Sequence, residues 1–386
     1  MAGSRQKIIV IGAGTLGTAT AWNLAVRGAD VTLLDQGGIA SGSSGRSVGV
    51  VGTQHVDDFE ILIRTHSLRH IRHWRTCGLD FHAIGYMRLG RDGRDMALLE
   101  KSIDLQKAHG ITSARLLNPT DIRALVPHMN VEGVAGAIFG SEDGFLDPHQ
   151  MCTIVSGLVR DLGGSVRQNC RLIAADRRGG GWRLTTSSGI MDCDAVVNAA
   201  GAWAPQVARA FGQALHVVAE RHQAVTIHLS EPLPYVMPMV MDLVQGGVGT
   251  GLNIRHDRPG QLITEIHKVA ASAGENPDSY NDQLDEASKE QLAELLLERM
   301  PELPGASFGR GWAGLYPKSS DGRPYVGPID GRDPTVVTVA GAGGYGIQLG
   351  PVLGQLAADW LLEGEPASIP EARRLLPTAE RNRAPS

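Results

Sequence analysis

The feature that most constrains this chain is its opening stretch, KIIVIGAGTLGTATAWNLAVRGADVTLLD. A continuous apolar run predicts a strand over Lys7–Ile11, and the residues after the glycines predict a helix from about Leu16 to Val26, closed by Gly28. A second apolar run, Asp30–Leu34, follows directly. Because a helix joins two short buried strands, the pattern predicts a parallel βαβ unit and therefore an α/β fold.

The glycines of GAGTLG have the spacing of a dinucleotide-binding turn. Gly12 allows the tight turn, Gly14 the close approach of a pyrophosphate, and Gly17 the contact between helix and strand. Asp35 ends the second strand, where its carboxylate can accept both ribose hydroxyls and repel a 2′-phosphate, so NADP is disfavoured. The alternative is a glycine turn that serves only packing. The nucleotide interpretation predicts cofactor contacts at Gly12, Gly14, Thr15, Leu16, Gly17, Asp35 and Gln36.

A second run of small residues, IASGSSGRSVGVV at Ile39–Val51, follows almost at once. A long bed of small side chains indicates a group that lies flat against the backbone, and the hydroxyl and N–H groups of this loop can bond a polar chain. FAD has a long ribityl-pyrophosphate arm that NAD lacks. The loop therefore predicts FAD contacts at Ser43, Ser44, Gly45, Arg46 and Ser47, with Arg46 near the flavin N5 edge or the pyrophosphate. The alternative is a flexible Gly/Ser linker.

Composition limits the kinds of partner. The 386 residues are 42% hydrophobic and 20% charged, which is ordinary for a globular protein of two or three domains. A net charge of -5 without a polybasic patch argues against nucleic acid and anionic membrane surfaces, and favours small molecules. The four scattered cysteines lack metal-ligand spacing, so we expect reduced thiols and a cytoplasmic protein. We expect no signal peptide, because a strand begins almost at once, and no membrane span, because the sequence contains no apolar run of about 18 residues.

Two helices are predicted from their N-terminal signals. A helix is expected over Asp57–Trp74, and GFLDPHQMCTIVSGLVRDLGG predicts another that begins after Asp147. Pro148 suits its first turn, and the Gln150 side chain is expected to reach back as in a capping box. Strand segments are expected within Val166–Ala174 and Trp182–Thr186, followed by a buried strand that ends in NAAG.

The region from about 212 to 314 has a different character. Its alternating segments, such as HQAVTIHL and GQLITEIHK, predict antiparallel strands with one solvated face. A helix near Ser288–Met300 is expected to begin with a Ser288/Gln291 capping box. The Arg- and Pro-rich tail, 368–386, is expected to fray.

Two blocks near the C-terminus carry a resemblance to a known family. RGWAGLYPKSSDGRPYVGPIDG has the pattern WxGLxPxxxDGxPxxG, and the second block has GxGxxGxxLxPxxGxxxA. With GAGTLG and ASGSSGRSVG, they resemble the amino-group-oxidising FAD family that includes D-amino acid oxidase, glycine oxidase and sarcosine oxidase. The resemblance implies that Leu172 and Ile173 meet adenine, that Ala199, Ala200 and Gly201 approach the nucleotide, and that Gly343, Gly344, Tyr345, Gly346 and Ile347 face the flavin N1–C2=O edge.

The resemblance also implies the domain organisation. A Rossmann-like FAD-binding domain of the glutathione-reductase type, formed by 1–80, 141–211 and 315–367, is expected to carry an interleaved α+β substrate domain, 81–140 and 212–314. That second domain is expected to be built on an antiparallel sheet, and 368–386 forms the tail.

The implied chemistry is removal of a hydride by flavin N5 from the carbon beside an amine, giving an imine that water hydrolyses. The expected substrate is a small amino or imino acid or an N-methyl amine, such as sarcosine, glycine, proline or a D-amino acid. O₂ or another acceptor takes the electrons. The alternatives are a 2-hydroxy acid dehydrogenase, or a flavin-bearing subunit of a hetero-oligomer; a homo-oligomer is also compatible.

Two departures from the family concern the substrate carboxylate. Some members have an arginine in GLxP, where this chain has Tyr316, and others have one three residues after the loop arginine, where this chain has Gly49. A bidentate arginine is the obvious carboxylate ligand. Its expected substitutes are Arg255, Lys318 and Tyr345, so the candidate catalytic residues are Arg46, Tyr316, Tyr345, Arg255 and Lys318.

Covalent attachment of the flavin and a metal are not expected. Arg46 and Ser47 stand where some relatives have an attaching histidine, and no cysteine follows Pro324. Non-covalent FAD is therefore predicted. His66, His70 and His73 share a helical face, but without a carboxylate or cysteine at usable spacing we interpret them as a half-exposed face.

Overall fold

The computed structural model describes residues 5–243, 250–268 and 274–383. Its α-helices are α1 Thr15–Val26, α2 Asp58–Thr76, α3 Gly93–Ala108, α4 Pro119–Leu125, α5 Pro148–Asp161, α6 Ala204–Ala210, α7 Glu286–Arg299 and α8 Gly346–Glu363. Its strands are β1 Lys7–Ile11, β2 Asp30–Leu34, β3 Val50–Val51, β4 Phe81–His82, β5 Tyr86–Gly90, β6 Ala114–Leu117, β7 Gly136–Gly140, β8 Gly144–Leu146, β9 Ser165–Arg167, β10 Leu172–Arg178, β11 Gly181–Thr186, β12 Gly189–Cys193, β13 Ala195–Asn198, β14 Val218–His228, β15 Met239–Met241, β16 Thr250–Arg258, β17 Gln261–Lys268, β18 Ser307–Lys318, β19 Tyr325–Pro328 and β20 Val336–Ala340.

The first layer is a six-stranded sheet in the order β19-β20-β13-β1-β2-β9. Its neighbours are parallel except β19 and β20, and its central strands are almost completely buried. Continuous apolar strands suit this position because helices cover both faces of a parallel sheet. The predicted βαβ unit is confirmed, and its two strands lie at the centre of the sheet.

Helices α1 and α8 pack closely on this sheet because glycine removes the side chains between them. A Cβ atom at Gly350 would lie 2.2 Å from Thr15 Cγ2, and one at Gly354 would lie 2.6 Å from the Ala19 carbonyl carbon. Apolar residues of both helices share one buried cluster with β1, β2, β13 and β20. The N-termini of the two helices are therefore held side by side.

The second layer is an eight-stranded sheet in the order β18-β14-β17-β16-β15-β5-β7-β6. Its neighbours are antiparallel except β15 and β5. One face packs on α4 and α7 through Leu252, Ile254, Leu262 and other apolar side chains. The division into two domains stays a prediction, although its boundary at residue 315 falls inside β18.

Two local predictions are wrong because other contacts compete. Asp147 does cap α5, but the Gln150 side chain bonds Asp80 instead of reaching back. Helix α7 begins at Glu286, so Ser288 lies within its first turn and accepts a hydrogen bond from Gln223 instead of forming a capping box. The side-chain partners on neighbouring segments replace the local ones that the sequence suggested.

The tail is ordered over its described part. Ala372 and Leu375 are buried in a short 3-10 helix, and the Tyr325 hydroxyl donates to the Arg381 carbonyl at 2.6 Å. The prediction that 368–383 frays is therefore wrong, because apolar residues among the arginines pack on the first sheet. Residues 384–386 lie outside the described part.

Candidate functional site

The first glycine turn leaves no room for side chains. Gly12 has φ +110°, and a Cβ atom there would lie 2.4 Å from the Ala199 carbonyl oxygen. A Cβ atom at Gly17 would lie 1.7 Å from the Gly12 carbonyl oxygen. The tight turn predicted at Gly12 and the close helix–strand contact predicted at Gly17 are therefore present.

The second loop is folded directly onto this turn. Residues Ser44–Arg46 form a 3-10 turn, and Thr15 N–H at the start of α1 donates to Ser44 Oγ at 3.0 Å. A Cβ atom at Gly14 would lie 2.9 Å from the same oxygen. The alternative of a flexible linker is wrong, because small residues are needed where two backbone segments meet.

A cavity of about 330 Å³ lies between the two loops, β18 and the start of α8. Most of the predicted cofactor contacts share its wall, namely Gly12, Gly14, Thr15, Leu16, Asp35, Gln36, Ser43, Ser44, Ser47, Leu172, Ile173, Ala199, Ala200, Gly201, Gly343, Gly344, Gly346 and Ile347. Residues that sequence reasoning missed, among them Trp203 and Gln206, also line it. They follow the NAAG turn by a few positions, so its continuation into a helix was the available signal.

Asp35 stands at the cavity wall as a fixed acceptor. Its Oδ2 accepts from Ala13 N–H at 2.7 Å and its Oδ1 from Gly37 N–H at 2.8 Å. These two backbone donors orient the carboxylate at the end of β2, where a ribose would lie in a bound dinucleotide. Its negative charge supports the expectation that a 2′-phosphate is disfavoured.

Two helix N-termini open on this one cavity. Neither α1 nor α8 has a side-chain cap or an acidic residue in its first turn. Apart from Thr15 N–H, which donates to Ser44 Oγ, the first N–H groups and the partial positive charge of each helix end are therefore available to an anion or a developing negative charge. The residues present fit a dinucleotide, while contact of its phosphates with α1 and of its flavin edge with α8 stays a prediction.

Arg46 is held by contacts within its own loop and with β18. Its guanidinium donates to the Ser41 carbonyl at 2.5 Å and the Gly42 carbonyl at 3.2 Å, and its own carbonyl accepts from Trp312 Nε1 at 2.8 Å. A guanidinium satisfied by its own loop fastens that loop to β18. A contact of this group with flavin N5 or the pyrophosphate stays a prediction.

Three other predicted contacts lie behind the cavity wall. Gly17 packs on Gly12, and a Cβ atom at Gly45 would lie 2.3 Å from the Ala40 carbonyl oxygen. The Tyr345 ring lies 5.2 Å from the Arg64 guanidinium. Packing explains why small residues are required at the two glycines, and direct cofactor contact at these positions stays a prediction.

The candidate substrate residues are only partly brought together. Tyr316 lines the cavity, and burial raises its pKa well above the usual value for a tyrosine. Its ring stacks on His222 with centroids 3.8 Å apart. Lys318 Nζ is paired with Glu220 at 2.7 Å. The lysine charge is therefore already balanced.

Arg255 is also occupied. Its Nε donates to the Val48 carbonyl at 3.0 Å, its Nη1 contacts Asp257 at 3.2 Å, and its guanidinium lies 3.8 Å from the Phe145 ring centroid. These contacts support the loop that precedes β3. The structure gives Arg255 a supporting role next to the site, and its direct contact with a substrate carboxylate stays a prediction.

Glu265 and Asp143 are functional candidates that sequence reasoning missed. Burial raises the pKa of Glu265 to about 7, and the side chain accepts from Asn253 Nδ2 at 2.6 Å. Burial raises the pKa of Asp143 to about 7, while Thr53 N–H and its hydroxyl donate to it at 3.1 Å. Glu265 lies on the strand face interpreted as solvated. That interpretation is wrong, because this face meets the nucleotide-binding loops.

The histidines of α2 have other partners. His70 Nε2 is 2.8 Å from Gln355 Oε1, and the rings of His70 and His73 pack on Trp22. Over the ranges that the structure describes, no three His, Cys, Asp or Glu side chains are grouped to hold a metal ion. Within the same ranges no helix is both long and apolar enough to cross a bilayer.

Comparison with known proteins agrees with this geometry. The FAD dependent oxidoreductase family matches residues 7–360. Human mitochondrial dimethylglycine dehydrogenase is 26% identical over 380 residues, which cover 94% of this chain and 43% of the relative. The chain thus spans less than half the length of that relative. Glycine oxidase from Pseudomonas putida is 26% identical, with 95% of this chain and 97% of the relative covered.

A solved structure shares the fold. L-proline dehydrogenase from P. horikoshii superposes with a TM-score of 0.83 at 24% identity, covering 93% of this chain and 94% of that chain. The predicted α/β fold class and the FAD cofactor are confirmed by the fold and the family. The chain, over all but its first few residues and its C-terminal tail, belongs to the FAD-dependent oxidoreductase family.

Proposed function

We propose that this chain binds FAD without a covalent bond and oxidises the carbon–nitrogen bond of a small amino acid, imino acid or N-methyl amine. The observation that carries the proposal is the single cavity on which two uncapped helix N-termini and the small-residue loop converge. Bound FAD supplies a two-electron acceptor: a hydride leaves the substrate carbon next to nitrogen, and water hydrolyses the resulting imine. The protein holds the C–H bond in position and excludes water.

The names of the relatives support this substrate class. They include a dimethylglycine dehydrogenase, a glycine oxidase and an L-proline dehydrogenase, all of which are named for amino or imino acids. Their names differ in both substrate and reaction, so the common part is a nitrogen next to the oxidised carbon. The candidate residues for contact with this substrate are Tyr316, which lines the cavity, and His222, which stacks on it.

Anaerobic reduction of the bound flavin tests the proposed function. We expect at least one member of a panel of glycine, sarcosine, dimethylglycine, proline and D-amino acids to bleach the flavin absorbance of the purified holoprotein. A parallel panel of 2-hydroxy acids serves as the control, since it tests the alternative dehydrogenase on the same fold. Bleaching by hydroxy acids alone would contradict the proposal.

The electron acceptor is tested separately. The chain spans 43% of the human dimethylglycine dehydrogenase but nearly all of the glycine oxidase, so both a subunit that passes electrons to a partner and a self-sufficient oxidase are candidates. Peroxide formation by the isolated chain, with a substrate that bleaches it, is expected of an oxidase. Bleaching without turnover in air favours the subunit with a separate acceptor.

The mode of flavin attachment gives a further prediction. We expect acid precipitation to release the flavin colour into the supernatant, because the chain positions at which some relatives attach flavin hold Arg46 and Ser47 and no cysteine follows Pro324. The measurement is flavin absorbance in pellet and supernatant after precipitation. Colour retained in a washed, unfolded pellet would show a covalent bond.

A further inference from the structure

One row of side chains crosses the face of the eight-stranded sheet that meets the nucleotide-binding loops. Directly opposed residues in the sheet register are Arg88, Met241, Asn253, Glu265, Ala224 and Trp312. Opposed residues on neighbouring strands lie on the same face. Trp312 donates to the carbonyl of Arg46 in the second loop, which shows that this face points toward the cofactor cavity.

Glu265 makes no ion pair with a side chain of the described ranges. Its Oε1 accepts from Asn253 Nδ2 at 2.6 Å, and the charge of Arg255 lowers its pKa without direct pairing. The side chain keeps part of its accessible surface, although burial raises its pKa. A buried carboxylate is stable when a positive charge or hydrogen-bond donor meets it. Asn253 donates to Oε1 alone, so Oε2 is the oxygen that would take a cationic partner from a ligand.

Arg88 is the complementary case at the other end of the row. Its Nη2 donates to the Tyr86 hydroxyl at 2.8 Å and its Nη1 to the Leu243 carbonyl at 3.2 Å. Its Nε is buried without a hydrogen-bond partner, and no carboxylate of the described ranges pairs with it. A guanidinium is the preferred protein ligand for a carboxylate because its N–H groups match both oxygens.

The two charges are close enough to serve one small ligand. Three strand spacings separate their backbones, roughly 14 Å between Cα atoms, and both side chains extend from the same face. Arg88 lowers the pKa of Tyr86 electrostatically and Glu265 raises it, so one phenol lies within reach of both charges. Glu265 also raises the pKa of Tyr316, which lines the cofactor cavity. In the sheet register Glu265 is also nearer than Arg88 to β18, the strand that lines the cavity.

We propose that Arg88 and Glu265 form a two-point site for a zwitterionic amino acid, in which Arg88 binds the carboxylate and Glu265 binds the ammonium group. The inference rests on the proposed function, since it assigns the substrate class of the same site. In this arrangement Arg88 on β5 takes the role of the arginine that some family members have at the position of Tyr316. It also places the substrate nitrogen at the end of the row that adjoins the flavin cavity.

Glu265 has a second use in this arrangement. An amine must lose its extra proton before hydride leaves the neighbouring carbon, and a carboxylate in contact with the ammonium group can accept that proton. The groups around Glu265 are Arg255 on β16, which lowers its pKa, and the phenols of Tyr86, Tyr316 and Tyr345. With burial included, the pKa of Glu265 is raised to about 7, so the carboxylate is available near neutral pH.

Binding of non-reacting ions tests the two points separately. Trimethylglycine carries both charges and has no nitrogen lone pair to support oxidation, while acetate and tetramethylammonium carry one charge each. Affinities are measured on the FAD-loaded protein by calorimetry and by the change in flavin absorbance. We expect trimethylglycine to bind at least about tenfold more tightly than either single ion, because two charged contacts act together.

Two charge-removing variants test which residue binds the carboxylate and which binds the ammonium group. We expect Arg88→Met to weaken acetate and trimethylglycine about tenfold or more and to leave tetramethylammonium unchanged. We expect Glu265→Gln to weaken tetramethylammonium and trimethylglycine similarly and to spare acetate. Tetramethylammonium affinity should also rise as pH increases through 7 in the unsubstituted protein, and stay flat in Glu265→Gln. Exposed Arg94→Met on α3 and Glu294→Gln on α7 are matched controls that should change nothing.

The outcomes separate this inference from the proposed function. Unchanged trimethylglycine binding in both variants, with FAD retained, overturns the two-point site. If either variant loses FAD or unfolds, Arg88→Lys and Glu265→Asp replace it, and these are expected to weaken binding less than the charge-removing changes do. Failure of every amine to bleach the flavin overturns the proposed function, whereas ion binding is scored without any turnover.

Discussion

Gly17→Val is expected to yield protein without bound FAD and with a much lower free energy of unfolding. The Cβ atom would lie 1.7 Å from the Gly12 carbonyl oxygen and 3.3 Å from Ala199 Cβ, so α1 has to move away from β1 and β13. Overpacking of a core costs roughly 1–3 kcal/mol where side chains can adjust. Here the obstacle is backbone, and we expect the upper end of that range or more.

The same displacement acts on cofactor binding. Moving α1 separates its N-terminus from Ser44 and from the cavity wall, so the anion site is lost together with the packing. Chemical unfolding and the ratio of flavin to protein absorbance measure the two effects. Gly157→Ala in α5 is the matched control: nothing lies within 4 Å of its new Cβ atom, and helix propensity predicts stabilisation of roughly 0.5–1 kcal/mol. A yellow, normally stable Gly17→Val protein would contradict the packing argument.

Glu265→Gln is expected to stabilise the protein at pH 8 and to have little effect at pH 4.5. Burial raises the pKa of Glu265 from 4.5 to about 7, so the folded state keeps a proton that the unfolded state has released. The associated stability is complete below pH 4.5 and is lost as pH rises through 7. Glutamine carries no charge to desolvate, which gives an advantage of up to about 3 kcal/mol at pH 8.

Comparing the two proteins at each pH isolates this residue. Burial lowers the pKa of His55 to about 2, which costs stability as pH falls below 6.5, and the raised pKa of Asp143 acts in the opposite direction. Both contributions are common to the variant and the unsubstituted protein, so they cancel in the difference. Urea unfolding at matched FAD loading measures the difference in free energy of unfolding between the two proteins. Glu294→Gln serves as the control. An equal difference at pH 4.5 and pH 8 would refute the raised pKa.

The parts of the fold that were predicted from sequence are those with local causes. The βαβ unit follows from hydrophobic runs and glycines within 29 consecutive residues, Lys7 to Asp35. The parallel pairing of its two strands is the one that this pattern predicts. The Asp57 cap of α2 and the Asp147 cap of α5 are local as well. The cavity wall was largely predicted because strand ends and helix starts meet at one edge of a parallel sheet.

The substrate side could not be predicted in the same way. Arg88 and Glu265 belong to strands separated by two others, and they come into one row only through the pairing of β5, β15, β16 and β17. The hydrogen bonds from the Arg46 guanidinium to the carbonyls of its own loop were likewise not predicted from the sequence. Partner choice among long polar side chains depends on tertiary distance, which neither periodicity nor spacing specifies.

The glycine contact between α1 and α8 has a consequence for motion. Gly350 meets Thr15 and Gly354 meets Ala19 with backbone close to backbone, so neither helix can slide along the other without a steric collision. The two ends that border the cavity consequently move as one body. Any widening that lets a substrate enter or a product leave has to come from the opposite wall, where the strands of the eight-stranded sheet face the loops through side chains that can change rotamer.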